Sequence, residues 1–139
     1  MFDSVHIEIR EFRGRLLGVD PKARDARLVI GTVLGSFGMT LGALQGSGRY
    51  KKISMPRHLI MYLLRLYTRM SFPQIGRPLG SRDHSTVISG CRKIMAFRHD
   101  SEESRALSEI CLLLERAGLV PDLGRLPPRK KVKGIPVYR

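Results

Sequence analysis

Residues 82–94 read Arg82-Asp83-His84-Ser85-Thr86-Val87-Ile88-Ser89-Gly90-Cys91-Arg92-Lys93-Ile94. A carboxylate, an imidazole and two hydroxyls stand together where a helix should begin. A basic pair, Arg92 and Lys93, follows about two turns later with apolar residues between. Hydroxyls and imidazole can hydrogen-bond base edges, a threonine methyl can touch the thymine methyl, and a carboxylate can accept from cytosine N4. Lysine and arginine bind phosphates, which fix register and supply salt-sensitive affinity without reading sequence. The front end of such a helix can meet bases while its flank meets backbone. Asp83 can also serve as a helix cap favoured by the macrodipole, and both roles can hold together. An Asp83–His84 catalytic dyad is disfavoured, because adjacent helix residues splay about 100° apart and no nucleophile network accompanies them. No enzymatic activity is expected.

Such a helix needs neighbours to hold it. Ser71-Phe72-Pro73-Gln74 has capping-box spacing and opens a short helix carrying Ile75 and Leu79. Gly80 supplies a turn, and the next helix runs from Arg82 or Asp83 to about His99, with Val87, Cys91 and Ile94 inward. Short helix, glycine turn, second helix is the layout of a helix-turn-helix. Upstream, Ser54 can cap a helix with Pro56 in its first turn, its stripe formed by Leu59, Leu63, Leu66 and Met70 with Ile60 and Tyr67 beside it. A helix from about Pro21 to Phe37 stops at Gly38, and Thr40 caps a short helix containing Leu41 and Leu44. Asp100 with Glu103 has capping-box spacing before a last helix to about Arg116, ended by Gly118, with Leu107, Ile110, Cys111 and Leu114 inward. Val5 to Leu17 fits a strand over three alternate residues, but a helical face (Val5, Ile9, Phe12, Leu16) over the longer pattern. The expected fold is all-α, a helical bundle containing a helix-turn-helix.

Lys and Arg total 25 against 12 acidic residues, a formal net charge of +13 in 139 residues. That excess favours a polyanionic partner, nucleic acid first and an anionic membrane surface second. Cys91 and Cys111 form no CxxC pair and the histidines are scattered, which argues against a zinc site and for reduced, buried thiols of a cytoplasmic protein. No metal or other cofactor is expected. Leu28 to Gly48 carries no charge, yet Thr32, Ser36, Thr40, Gln45 and Ser47 interrupt it, so a soluble helix-loop-helix is expected there and no membrane span. The N-terminus is too charged for a signal peptide.

Gly80-Ser81-Arg82-Asp83-His84-Ser85-Thr86-Val87 followed by Cys91-Arg92-Lys93-Ile94 resembles the hallmark segment of the DNA-binding domain of DnaA, the bacterial replication initiator. The resemblance runs from about Ala26 to Glu115 and is strongest from Pro56 to Ile94. It implies an all-helical domain that binds an asymmetric duplex, the DnaA box, of the TTATCCACA type. Carried over by position, His84, Ser85 and Thr86 match major-groove readers, within a segment that also includes Arg82, and Asp83 an acceptor for a base amino group. Arg57 and His58 match DNA-contacting positions, the second usually Gln. Arg49 aligns with an arginine that enters the minor groove, Phe72 and Pro73 with an apolar pair near the groove, and Arg92 and Lys93 with phosphate contacts.

Several positions depart from the family pattern. Ser81 replaces a usual glycine and fits only if that turn needs no positive φ. Pro78 can shorten the last turn of the first motif helix. Gly90 replaces an alanine, easing close approach to DNA at about 1 kcal/mol of helix propensity. Ser85 for threonine removes a methyl. A box-like target is implied, not necessarily the identical sequence. No G-x-x-x-x-G-K-(S/T) loop occurs, so the chain resembles the reading module without the ATPase domain. The expected organisation is an N-terminal extension (1–22), the DNA-binding domain (23–118) and a basic tail disordered in isolation (119–139). The implied roles are competition with the host initiator at boxes or regulation of transcription, as a nucleoid-associated monomer on double-stranded DNA. The alternative is a basic helical adapter binding an acidic protein.

Overall fold

The computed structural model describes residues 23–48 and 50–129, and all regular structure among them is helical. The expected N-terminal extension, Arg49, and the tail from Lys130 onward lie outside the described residues.

Helix α1 (Ala23–Phe37) buries Ala26, Val29, Ile30, Val33 and Leu34, an i, i+3, i+4, i+7 stripe. It stops at Gly38, whose φ of 61° lets the Met39 N–H reach back to the Leu34 carbonyl. Helix α2 (Leu41–Gln45) is capped by Thr40, which accepts from the Ala43 N–H, and buries Leu41 and Leu44. Helix α3 (Lys51–Tyr67) is the centre of the bundle, packing against α1, α2 and the two motif helices. It begins a turn earlier than the expected cap at Ser54. The Tyr50 carbonyl already accepts from the N–H groups of Ile53 and Ser54, so Pro56 sits inside the helix. Of the expected apolar positions, Leu59, Ile60, Leu63, Leu66 and Tyr67 are buried, while Met70 lies beyond the helix end and is half-buried; α3 also buries Met61 and Leu64, because neighbours surround its C-terminal half.

Helix α4 (Phe72–Gly76) opens on the expected capping box, with Ser71 and Gln74 bonded reciprocally. It continues as a 3-10 turn over Arg77–Leu79 containing Pro78, which tightens the end as the proline requires. Gly80 (φ 85°) and Ser81 (φ 55°) then reverse the chain. Ser81 thus does occupy the left-handed region that glycine tolerates best, at a cost of about 1–2 kcal/mol for an L-residue. Helix α5 (His84–Met95) completes the helix-turn-helix and ends before the expected His99. Helix α6 (Glu102–Arg116) is capped by Ser101 rather than Asp100, accepting from the Ser104 N–H, and packs on α1. Ile110 and Leu114 are fully inward, while Leu107 and Cys111 are half-buried.

Beyond Gly118 the described chain returns to the bundle instead of leaving it at residue 119. The Asp122 N–H donates to the Leu66 carbonyl, Arg125 donates to the Thr68 carbonyl, and Pro127 is buried. Arg65 binds this return segment and the preceding turn, donating to the carbonyls of Arg125 and Met70 while its guanidinium lies 4.1 Å from the Phe72 ring centroid. No described helix is long and apolar enough to cross a membrane.

Candidate nucleic-acid interface

Helix α5 is fixed on one side and open on the other. Val87, Gly90, Cys91 and Ile94 face the core, while His84, Ser85 and Thr86 are exposed at its front. Asp83 caps the helix by accepting from the Ser85 N–H; it also accepts from the Ser85 hydroxyl and lies 3.1 Å from His84 Nδ1. The Ser85 hydroxyl, with the backbone and His84, holds the Asp83 carboxyl below the usual range. Asp83 therefore acts as the cap that orders its two neighbours. His84 Nε2 and the Thr86 hydroxyl carry no bond to protein among the described residues, and the Ser85 oxygen keeps acceptor capacity. These are donors and acceptors held at the surface of a rigid helix end.

Lys93 is exposed on the flank, as a phosphate contact requires. Arg92 is half-buried, and its Nε donates to the Pro128 carbonyl, 3.0 Å away. Gly90 is not at the interface. It lies on the buried stripe, where an added Cβ would stand 2.4 Å from Met61 Sδ and 3.0 Å from His58 Cδ2. Its lack of a side chain serves the approach of α5 to α3, not to DNA.

Arg57 also departs from its expected place. It is 5% exposed, with Nε, Nη1 and Nη2 donating to the carbonyls of Leu44, Gly48 and Gly46 at 2.8, 3.1 and 3.0 Å. The carbonyls at the end of α2 have no helical partners, and the guanidinium satisfies them. Burial, then the charge of Arg82, lowers the Arg57 pKa. Arg82 donates to the same Gly46 carbonyl and its Nε is buried without a partner. The register of Arg57 could have exposed its burial: 57, 60, 61 and 64 form one helical stripe, and the other three positions are apolar.

His58 is half-buried beside this pair. Burial pushes its pKa down to about 4, with Lys93, Arg57 and Arg82 adding to the shift. The folded state therefore holds the neutral ring. As pH falls from 6.5 toward about 4 the unfolded chain takes up the proton first, so this group's contribution to stability declines across that window. His58→Gln should remove that slope. In thermal melts between pH 7 and 4 the parent should lose stability toward acid faster than the variant, and an identical pH dependence of the two would contradict the assignment.

Pro73 is exposed and Phe72 half-buried against Arg65, so only the proline of this pair is openly presented. The structure thus gathers the charges of Arg57, Arg82 and Lys93 around the neutral His58 at the α3–α5 junction. Phe72 and Pro73 lie on the preceding motif helix. Tyr50, 80% exposed at the start of α3, lies outside the family motif, although an aromatic beside basic residues is a recognisable signal. Among the described residues no cluster of His, Cys, Asp or Glu could hold a metal ion. Burial pushes the Cys91 thiol up to about 12, making it inert.

Residues 26–94 match the family described as "Bacterial dnaA protein helix-turn-helix". Over 104 residues the chain is 38% identical to the chromosomal replication initiator protein DnaA of Thermus thermophilus, covering 72% of this chain and 23% of that protein. It is 37% identical over 95 residues to the protein of that name from Microcystis aeruginosa, covering 68% and 21%. With that of Roseiflexus castenholzii it shares 40% over 88 residues, covering 63% and 18%. The chain spans about a quarter or less of the length of these curated relatives.

Proposed function

Since residues 26–94 belong to the bacterial DnaA helix-turn-helix family, we propose that this protein binds double-stranded DNA through α5 and reads a DnaA-box-like site. The observation that carries the proposal is the front of α5. His84, Ser85 and Thr86 are exposed, the first two held by the Asp83 carboxylate, while the opposite face of the same helix is locked into the core. Base readout needs polar groups at fixed positions, because each contact depends on donor and acceptor geometry in the major groove. Lys93 supplies phosphate contact on the flank, and Arg49, from the family pattern, minor-groove contact. The net charge of +13 adds sequence-independent, salt-sensitive attraction.

In this reading the protein acts at its site by occupancy, excluding another box-binding protein or altering transcription nearby. One helix-turn-helix can engage an asymmetric site as a monomer. The test is fluorescence anisotropy at physiological salt with a DnaA-box duplex and a scrambled duplex of equal length. Tighter binding to the box is the expected result. Equal affinity for both duplexes, with no preferred site recovered from a random pool, would mean that charge alone binds DNA.

A further inference from the structure

Arg57 has an environment that its family position does not explain. Its guanidinium is buried and donates to three backbone carbonyls of the segment from Leu44 to Gly48. That segment is wedged against the turn of the helix-turn-helix. Gln45 Nε2 donates to the Pro78 carbonyl at 3.0 Å, and a Cβ on Gly80 would stand 2.3 Å from the Gln45 oxygen. The Gly46 carbonyl accepts from both Arg57 and Arg82. Arg82 is the residue before the Asp83 cap, and its own N–H is fixed to the Gly76 carbonyl at 2.8 Å. A chain of contacts therefore runs from Arg57 through Gly46 to Arg82 and the front of α5.

We propose that Arg57 is a positioning residue for DNA readout, setting the pose of α5 through the Leu44–Gly48 segment and Arg82 without touching DNA. The inference rests on the reading of α5 as the DNA-reading helix. A phosphate could reach Arg57 only by drawing its guanidinium away from carbonyls that would then lack partners. The planar fork is what the arrangement uses: three donors diverge to three carbonyls, a geometry that a lysine ammonium on a flexible stem does not reproduce. A direct phosphate contact, by contrast, needs mainly a positive charge.

Arg57→Lys separates the two roles, because it keeps the charge and removes the fork. Affinities for the duplex preferred by the parent chain and for a scrambled duplex are measured across a salt series. The expected result is a loss of roughly tenfold in the preferred-to-scrambled ratio, comparable to one good base contact, with scrambled binding and salt slope unchanged. Gln45→Ala, which removes an exposed bond across the same junction and buries no charge, should move the ratio in the same direction by less. It remains informative if Arg57→Lys fails to fold. A full ratio in both variants overturns the proposal. So does an equal loss on both duplexes with a salt slope lower by about one, the signature of a phosphate contact. A parent chain with no preferred duplex would overturn the reading of α5 and this inference with it. A parent with a clear preference that Gln45→Ala and Arg57→Lys leave intact would overturn this inference alone.

Discussion

Gly76→Ala is expected to destabilise the fold by about 3 kcal/mol, at the upper end of overpacking penalties. At an open helical position the same exchange would stabilise by up to about 1 kcal/mol, since alanine is the better helix former. The sign reverses here because of space, not backbone conformation. Gly76 has ordinary helical angles, φ −66° and ψ −26°. An added Cβ, however, would lie 1.9 Å from the Arg82 carbonyl oxygen and 2.9 Å from its carbon. The obstacle is main chain and cannot swing aside. It is tied to Gly76 itself by the bond from the Arg82 N–H to the Gly76 carbonyl. Relief requires the turn to open, which would move Asp83 and the front of α5. Urea unfolding should therefore show a lower midpoint for Gly76→Ala, and the folded fraction should discriminate less between duplexes. Gly42→Ala is the control, because its Cβ would meet nothing nearer than Thr40 Oγ1 at 4.0 Å. It should be neutral or stabilising. Equal midpoints for Gly76→Ala and the parent would show that the turn relaxes at little cost.

What could be read before the structure, and what could not, follows from the range of the interactions involved. The Ser71–Gln74 box, the Gly38 and Gly80 stops and the Val87–Cys91–Ile94 stripe are local, each satisfied within a turn or two of its own residues. They were legible from spacing alone. The start of α3 is not legible in this way, because a proline in a helix usually marks its first turn, whereas this helix tolerates Pro56 within it. The roles of Gly76, Gly90 and Arg57 are hidden in the sequence for another reason. Each answers to a residue remote in sequence or across a turn: Arg82, Met61 and His58, and the end of α2. Periodicity does reveal that 57 and 90 fall on buried stripes. It does not reveal that one stripe is completed by a guanidinium turned toward backbone carbonyls and the other by the absence of a side chain. The exposed His84-Ser85-Thr86 run was visible because nothing in the bundle covers it.

Thr86→Ala and Lys93→Ala should separate base reading from phosphate binding on one helix. Thr86 is exposed in the first turn of α5, after a cap made by Asp83, so its truncation leaves the cap intact and the melting temperature close to the parent's. If its hydroxyl or methyl meets a base, the variant should lose about 1–3 kcal/mol on the preferred duplex and nothing on a scrambled one. Lys93 is exposed on the flank of the same helix. Its removal should weaken both duplexes alike and lower the salt slope by about one, because one fewer phosphate counterion is released. Lys93 also carries an internal check on geometry: it is the first charge, after burial, among those that depress the His58 pKa, so Lys93→Ala should raise that pKa. NMR titration of the imidazole reads the shift without DNA. A raised His58 pKa with unchanged DNA affinity would keep Lys93 at the α3–α5 junction and remove it from the interface. Equal losses on both duplexes from Thr86→Ala would remove base readout from the front of α5. Both expected results together would make α5 a helix whose front selects and whose flank holds, with the buried Val87–Gly90–Cys91–Ile94 stripe keeping the two functions in fixed register.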